Sequence, residues 1–165
     1  MNGTDVKIAL GSDDSTPLTD FVAEELARRG YDVMRTGALV SGADPRWPAV
    51  GARVGAMVAS GDCAQGILFC YTGTGVSMAA NKVRGVRAAL CHDAQTAAGA
   101  RRWNDANVLV MSLRSTSPDE AREMLDAWFS APPGDAEDVE MVRMLDAMDQ
   151  GRALDPKKGR TSRVS

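Results

Sequence analysis

The stretch 66–82 restricts the fold of this chain more than any other part of the sequence. It opens with a short apolar run that ends at Cys70 and is typical of a strand buried on both faces of a parallel sheet. A turn containing Gly73 and Gly75 follows, and from Ser77 onward the composition is that of a helix. We therefore predict a strand, a tight turn and a helix that begins at Ser77.

The predicted turn is suited to binding negative charge. Its unpaired backbone N–H groups and the positive end of the helix dipole would point to the same place. Cys70 stands beside that place, at the kind of strand end where open α/β sheets bind ligands. It is therefore a candidate base or nucleophile, and a buried cysteine with a purely structural role is the simpler alternative.

Strand and helix patterns alternate along the chain as far as residue 130. Segments with helical spacing of apolar residues separate five short apolar runs, at 6–10, 31–35, 66–70, 86–91 and 107–111. This alternation predicts an α/β fold with three layers, Rossmann-like, in which a five-stranded parallel sheet is flanked by helices.

Composition divides the chain into three segments. Residues 1–130 form the predicted α/β domain. Residues 131–150 begin with a proline-rich hinge and continue as a C-terminal helix, which we expect to pack on a partner subunit. Residues 151–165 are basic with little apolar content and are expected to form a flexible tail.

Composition also argues against several classes of function. A net charge of −3 gives no sign of a nucleic-acid surface, and no apolar run approaches the ~20 residues of a membrane span. Three cysteines without close pairing, and no signal-peptide pattern, favour a reduced cytoplasmic protein. A single histidine and the lack of a Cys-x-x-Cys motif argue against a metal site.

Residues that could bind a ligand or take part in a reaction cluster where the predicted strands end. A thiolate that faces an anion-binding turn suits covalent attack on an electrophile, or removal of a proton next to a carbonyl group. The turn lacks the third glycine of a dinucleotide-binding fingerprint and the Gly-Lys-Ser/Thr of a phosphate-binding Walker loop. The candidates are Asp13, Asp14, Cys70, Tyr71, Thr72, Gly73, Thr74, Gly75, Ser77, His92 and Arg114, with Trp103 and Asn104 just before the fifth strand.

Three segments, 70–82, 85–88 and 104–109, resemble the ribose-5-phosphate isomerase type B family, which includes the galactose-6-phosphate isomerase subunits. The resemblance implies an aldose–ketose isomerase that works without metal or cofactor on a small sugar or sugar phosphate. It implies that Cys70 moves a proton between C1 and C2 while the turn amides bind the enediolate. It further implies sites shared across a homodimer, or a dimer of dimers.

The same resemblance assigns roles to two further residues. Thr72 would assist the base, and Asp13 would contact the sugar ring. Asp14 departs from the family, which usually has histidine at this position.

Other departures concern the ring-opening histidine and the phosphate clamp. Trp103 replaces the family histidine, and tryptophan cannot exchange a proton at neutral pH. His92 ends the next strand along the chain, which we expect to lie beside the strand of Cys70. It is therefore a candidate substitute for the family histidine. The C-terminal helix is acidic where the family has paired arginines, and offers only Arg143, whereas Arg114 matches a family arginine.

These observations favour a cofactor-free aldose–ketose isomerase that acts through an enediolate. The departures point to a short sugar phosphate that needs no ring opening, or to a sugar without phosphate, in a pocket that Trp47 and Trp103 make more apolar. Two alternatives stay open. One is a sugar epimerase that uses the same enediolate step, and the other is a catalytically silent family member that binds a sugar or a partner protein.

Overall fold

The five predicted strands form one parallel sheet. In the computed structural model, which describes residues 6–154, the strands are β1 (Lys7–Ser12), β2 (Asp32–Gly37), β3 (Gln65–Cys70), β4 (Ala88–Leu90) and β5 (Val108–Ser112). Each pair of neighbours is parallel, and the order across the sheet is β2-β1-β3-β5-β4. The prediction of a five-stranded parallel sheet is confirmed.

Helices cover both faces of this sheet, as the three-layer prediction requires. They are α1 (Pro17–Arg28), α2 (Trp47–Ala59), α3 (Thr74–Asn81), α4 (Ala94–Asn104), α5 (Pro118–Ser130) and α6 (Ala136–Asp149). Two clusters of buried apolar side chains show that α2 and α3 lie on one face, and that α1, α4 and α5 lie on the other. The Rossmann-like α/β architecture is confirmed.

Strand β3 contributes side chains to both clusters because successive residues of a strand point to opposite faces. Ile67 and Phe69 are buried against α1, α4 and α5. Leu68 and Cys70 are buried in the cluster of α2 and α3. The side chain of Cys70 therefore lies on the α2–α3 face, at the carboxyl end of its strand.

Small residues let α2 and α3 approach each other closely. A methyl group on Gly51 would lie 2.6 Å from the Cβ atom of Ala79 and 2.8 Å from the carbonyl oxygen of Val76. Both helices follow the carboxyl end of a strand, so both begin at the same edge of the sheet. The first residues of α2 and α3 are therefore neighbours.

The C-terminal helix α6 lies against α4 of its own chain. Its Asp146 Oδ1 is 3.4 Å from Arg87 Nη1, and its Asp149 Oδ2 accepts a hydrogen bond from the Gly85 N–H at 2.7 Å. No residue of α6 is fully buried, and Met141 is among its exposed apolar side chains. Packing of this helix on a partner subunit stays a prediction. Most of the predicted flexible tail lies beyond residue 154, outside the described residues.

A buried carboxylate joins α1 to α5. Glu25 Oε2 is 2.7 Å from Arg28 Nη2 and 3.3 Å from Arg29 Nη2, and its Oε1 is 3.8 Å from Arg122 Nε of α5. The hydrogen bond from Arg28 lowers the pKa of Glu25, and the charge of the two neighbouring arginines adds to that effect. The ionised form of Glu25 therefore stabilises the folded state.

We expect Glu25→Gln to lower the melting temperature by a few degrees at pH 7, because it removes a buried charge from three arginines. The folded pKa lies below the ordinary value of 4.5, so the contribution is complete above pH 4.5 and is lost as the pH falls through the folded pKa. Thermal unfolding from pH 7 to pH 3 should show the two proteins converging. Glu24→Gln, at the exposed neighbour, is the control, and an equal effect of both substitutions would contradict this account.

Candidate functional site

The turn after β3 places a glycine in a conformation that few other residues adopt. Gly73 has φ = 81° and caps α3, which begins at Thr74. The prediction that the helix begins at Ser77 is therefore wrong by three residues, because the left-handed Gly73 turns the chain directly into the helix. A side chain at Gly73 would also collide with its surroundings, since a methyl group would lie 2.5 Å from Leu90 Cδ1.

The first turn of α3 has free backbone N–H groups. The first bond of the helix is donated by Ser77 N to the carbonyl oxygen of Gly73, at 3.3 Å. Across the described part of the chain, the preceding amides of Thr74, Gly75 and Val76 have no hydrogen-bond acceptor. These amides and the helix dipole favour an anion at this point, as the sequence predicted.

Three side chains of the turn lie open to solvent. The hydroxyl oxygens of Thr72 and Thr74 are 2.8 Å apart and share a hydrogen bond. The ring of Tyr71 is exposed, and the guanidinium carbon of Arg114 lies 5.7 Å from its centroid. Arg114 also donates its backbone N–H to the carbonyl oxygen of Tyr71, so it belongs to the rim of the turn.

Cys70 lies beside this turn at the edge of the apolar core. It is 5% exposed, and it pairs in register with Ser112, the last residue of β5. The Ser112 hydroxyl donates to the carbonyl oxygen of Tyr71 at 2.9 Å, which ties the start of the turn to the neighbouring strand. The thiol is thus largely shielded from water, next to the free amides of α3.

The end of β1 brings a carboxylate to the same edge. Ser12 pairs in register with Phe69, so Asp13 follows its strand next to Cys70. The Oδ1 atom of Asp13 is buried and has no hydrogen-bond partner among residues 6–154. Burial raises the pKa of Asp13, and the charge of Asp14 adds to the increase. A buried acceptor without a donor is costly, so Asp13 is suited to receiving a hydroxyl group of a ligand.

A cleft of about 640 Å³ opens next to Asp13 and is otherwise lined by residues 45–49. Trp47 begins α2 at this cleft and lies across the first turn of α3. Arg46, which the sequence analysis did not single out, lines the same cleft and pairs with Asp44 at 2.6 Å. The sequence signal for the cleft lining at 45–49 is Trp47 followed by Pro48, a pair that indicates the start of a helix.

Asp14, the other carboxylate at this edge, is hydrogen-bonded within its own loop. It is exposed, and its Oδ1 accepts a hydrogen bond from the Ser15 N–H at 2.9 Å. This bond stabilises the turn after β1. Asp14 remains near the cleft as a neighbour of Asp13, and its charge acts on that residue.

His92 is farther from the thiol than the chain order suggested. Strand β4 is the edge strand, and β5 lies between it and β3, so the expectation that His92 ends an adjacent strand is wrong. Two strand spacings amount to roughly 10 Å. The side chain of His92 is exposed, and Asp93 directly after it caps α4 by accepting the Thr96 N–H at 2.7 Å.

Trp103 and Asn104 lie at the opposite edge of the sheet from the thiol. They form the end of α4, which descends from the end of β4 to the beginning of β5. Helix α4 continues to Asn104 and ends where Asp105 adopts φ = 43°. Trp103 is 53% exposed and lies over Gly99 of its own helix. One chain therefore does not bring these two residues to Cys70.

Within residues 6–154 no helix is long and apolar enough to cross a membrane. In the same range no group of three or more His, Cys, Asp or Glu side chains converges as a metal site would require. The cysteines Cys63, Cys70 and Cys91 are free thiols.

The chain is similar to known sugar-phosphate isomerases along most of its length. The model of the family described as Ribose/Galactose Isomerase matches residues 8–145. D-erythrulose-4-phosphate isomerase of Pectobacterium atrosepticum is 35% identical over 127 residues, which are 76% of this chain and 84% of that protein. Ribose-5-phosphate isomerase B of Escherichia coli is 34% identical over 147 residues, 88% of this chain and 98% of that protein.

Solved structures agree with these sequence matches. Ribose-5-phosphate isomerase B of Clostridium thermocellum superposes with a TM-score of 0.82 at 34% identity, covering 90% of this chain and 100% of that one. The resemblance read from the motifs 70–82, 85–88 and 104–109 is confirmed. The chain therefore belongs to the ribose/galactose isomerase family.

Proposed function

We propose that this chain is an aldose–ketose isomerase that acts on a small sugar phosphate through an enediolate. The observation that carries the proposal is the set of free amides at the start of α3, directly after Cys70 and beside the unpaired carboxylate oxygen of Asp13. Membership of the ribose/galactose isomerase family supports the same reaction class.

The proposed reaction needs one base and one anion-binding site. The Cys70 thiolate removes the proton from the carbon next to the carbonyl group, and the thiol so formed returns it to the neighbouring carbon. Between the two steps the negative charge rests on the enediolate oxygens, where the N–H groups of Thr74 and Gly75 can donate to it. A hydroxyl proton moves from one oxygen to the other, and Thr72 would relay it.

The shielding of Cys70 supports this role. A site with little water strengthens the hydrogen bonds that the amides make to a developing oxyanion. Asp13 would hold a substrate hydroxyl with its free oxygen, which fixes the sugar carbons relative to the sulfur.

A second copy of the chain would complete the site. Trp103 and Asn104 project from the amino edge of the sheet, opposite to Cys70, so they reach a thiol only in another subunit. We therefore propose a homodimer in which each copy lends this corner of α4 to the site of the other. His92, exposed at the end of the edge strand, would lie at the margin of such a contact.

The phosphate group needs a cation near the turn, and Arg114 is the proposed one. It lies at the rim, stacked over Tyr71, and no carboxylate of the described residues pairs with it. Arg143 of α6 is 3.5 Å from Glu140 of the same helix, so its charge is already partly compensated. Arg114 is thus the proposed phosphate-binding cation of a chain whose acidic C-terminal helix lacks the paired arginines.

The substrate is proposed to be a sugar phosphate that reacts without ring opening. Trp103 stands where ring opening would require a proton-exchanging group, and a four-carbon aldose phosphate cannot close a ring through its phosphorylated oxygen. The name of the P. atrosepticum relative, D-erythrulose-4-phosphate isomerase, supports this choice. An epimerase and a silent sugar-binding protein are the competing candidates.

We expect Cys70→Ala to lower kcat by about 10²–10⁴-fold, because the proton would lose its acceptor. The assay follows deuterium incorporation from deuterated water into four- to six-carbon aldoses and their phosphates by NMR. Exchange at C1 or C2 supports isomerisation, and exchange at another carbon would favour the epimerase. Cys63→Ala, at a buried thiol before β3, is the matched control and should retain activity. Full turnover by Cys70→Ala would refute the base assignment.

We expect Arg114→Ala to raise KM for phosphorylated sugars by roughly tenfold or more, because a charge-assisted contact is worth about 1.5–3 kcal/mol. The exchange rate with unphosphorylated sugars should not change. Steady-state kinetics with both forms of one sugar measures the difference, and Arg53→Ala, an exposed arginine of α2, is the control. An equal loss for both forms of the sugar would show that Arg114 acts on the fold rather than on phosphate.

A further inference from the structure

The side chain of Trp47 is unusually exposed for a large aromatic residue. It opens α2 at the mouth of the cleft beside Asp13 and is 45% exposed, whereas Trp128 of α5 is 1% exposed. A half-open aromatic side chain at a cleft presents apolar surface that a ligand can cover.

The indole lies directly over the anion-binding turn. A methyl group on Gly75 would be 2.9 Å from Trp47 Cδ2 and 3.0 Å from Cε3. Gly75 has no positive φ, so its backbone conformation is open to other residues, and the indole supplies the three nearest atoms that a side chain there would meet. The contact therefore holds the aromatic ring next to one of the free amides of α3.

The cleft pairs this ring with a polar group of the kind that recognises hydroxyls. Asp13 lines the same cleft and carries the buried oxygen without a hydrogen-bond partner. A polyhydroxylated carbon chain has C–H groups for an aromatic surface and hydroxyl donors for a carboxylate. The two side chains together fit the carbons of a sugar rather than its phosphate.

The residue before Trp47 is fixed by local contacts. Arg46 donates its backbone N–H to Asp44 Oδ1 at 3.0 Å and its Nη2 to Asp44 Oδ2 at 2.6 Å. On the other side of Trp47, Pro48 stands in the first turn of α2 and restricts the backbone. The backbone that carries the indole is therefore restrained before a ligand arrives, which lowers the entropic cost of binding.

We propose that Trp47 binds the carbon chain of the substrate and thereby selects its length. The inference rests on the proposed function and adds a specificity-determining residue to it. The indole contacts the amide turn at Gly75 and also lines the cleft beside Asp13, so the carbons beyond the reacting pair would lie along its face. Removing the ring would weaken binding and would leave space for a longer chain.

The test compares Trp47→Phe, Trp47→Ala and Val40→Ala, the last at an exposed apolar residue outside the cleft lining. For Trp47→Ala we expect KM for a four-carbon aldose phosphate to rise about tenfold, with a smaller change in kcat because Cys70 and the amides remain. The preference in kcat/KM between four- and five-carbon substrates should change by a similar factor. Trp47→Phe should retain most of the binding, and Val40→Ala should equal the parent protein. Melting temperatures confirm that each variant is folded.

A binding measurement separates this inference from the proposed reaction. In a Trp103→Phe background, which removes the other exposed indole proposed for the site, titration with a phosphorylated four-carbon aldonate should give a saturable change in tryptophan fluorescence that adding Trp47→Phe abolishes. If no sugar exchanges deuterium but the titration succeeds, the reaction is refuted and the role of Trp47 in binding stands. If folded Trp47→Ala keeps KM and the preference between four- and five-carbon substrates within twofold of the parent values, or if the titration signal persists after Trp47→Phe is added, the inference is overturned.

Discussion

All five strands of the sheet run parallel, and this alignment decides at which edge each candidate side chain lies. It brings every strand end to one edge, so the residues after β1 and β3 become neighbours although 57 positions separate Asp13 from Cys70. The same polarity sends the residues before β5 to the other edge. Trp103 and Asn104 are therefore far from the thiol of their own chain, and in the proposed homodimer they would come from a second copy.

The second requirement is a backbone that can present free amides to a ligand. Gly73 provides it, because its left-handed conformation starts α3 directly after the turn and leaves the first N–H groups unbonded. Close packing of α2 against α3 then fixes Trp47 above these amides, since glycines at 51 and 75 leave room for the approach. Sulfur, amides, carboxylate and indole are thus held by rigid elements rather than by a flexible loop.

Much of this arrangement follows from the sequence. Apolar runs and helical spacing predicted five strands and the layers around them, because burial on both faces leaves a clear pattern. The start of α3 was missed because a turn through a left-handed glycine resembles a longer loop. The position of His92 was wrong because the order along the chain does not give the order across the sheet. The contact between Trp47 and Gly75 joins two helices and leaves no local signal. By contrast, the placement of Trp103 could have been derived, since residues that precede a strand lie at its amino edge.

In the proposed dimer, one sugar is held by the thiol edge of one subunit and by the α4 corner of another. A crystal structure of the Cys70→Ala variant with a bound four-carbon sugar phosphate would reveal this arrangement. We expect an oxygen of the sugar within hydrogen-bond distance of the amides at 74–76, carbons along Trp47, and Trp103 or Asn104 of a second subunit closing the site. A sugar bound away from Gly73, or one enclosed by a single chain, would contradict this arrangement.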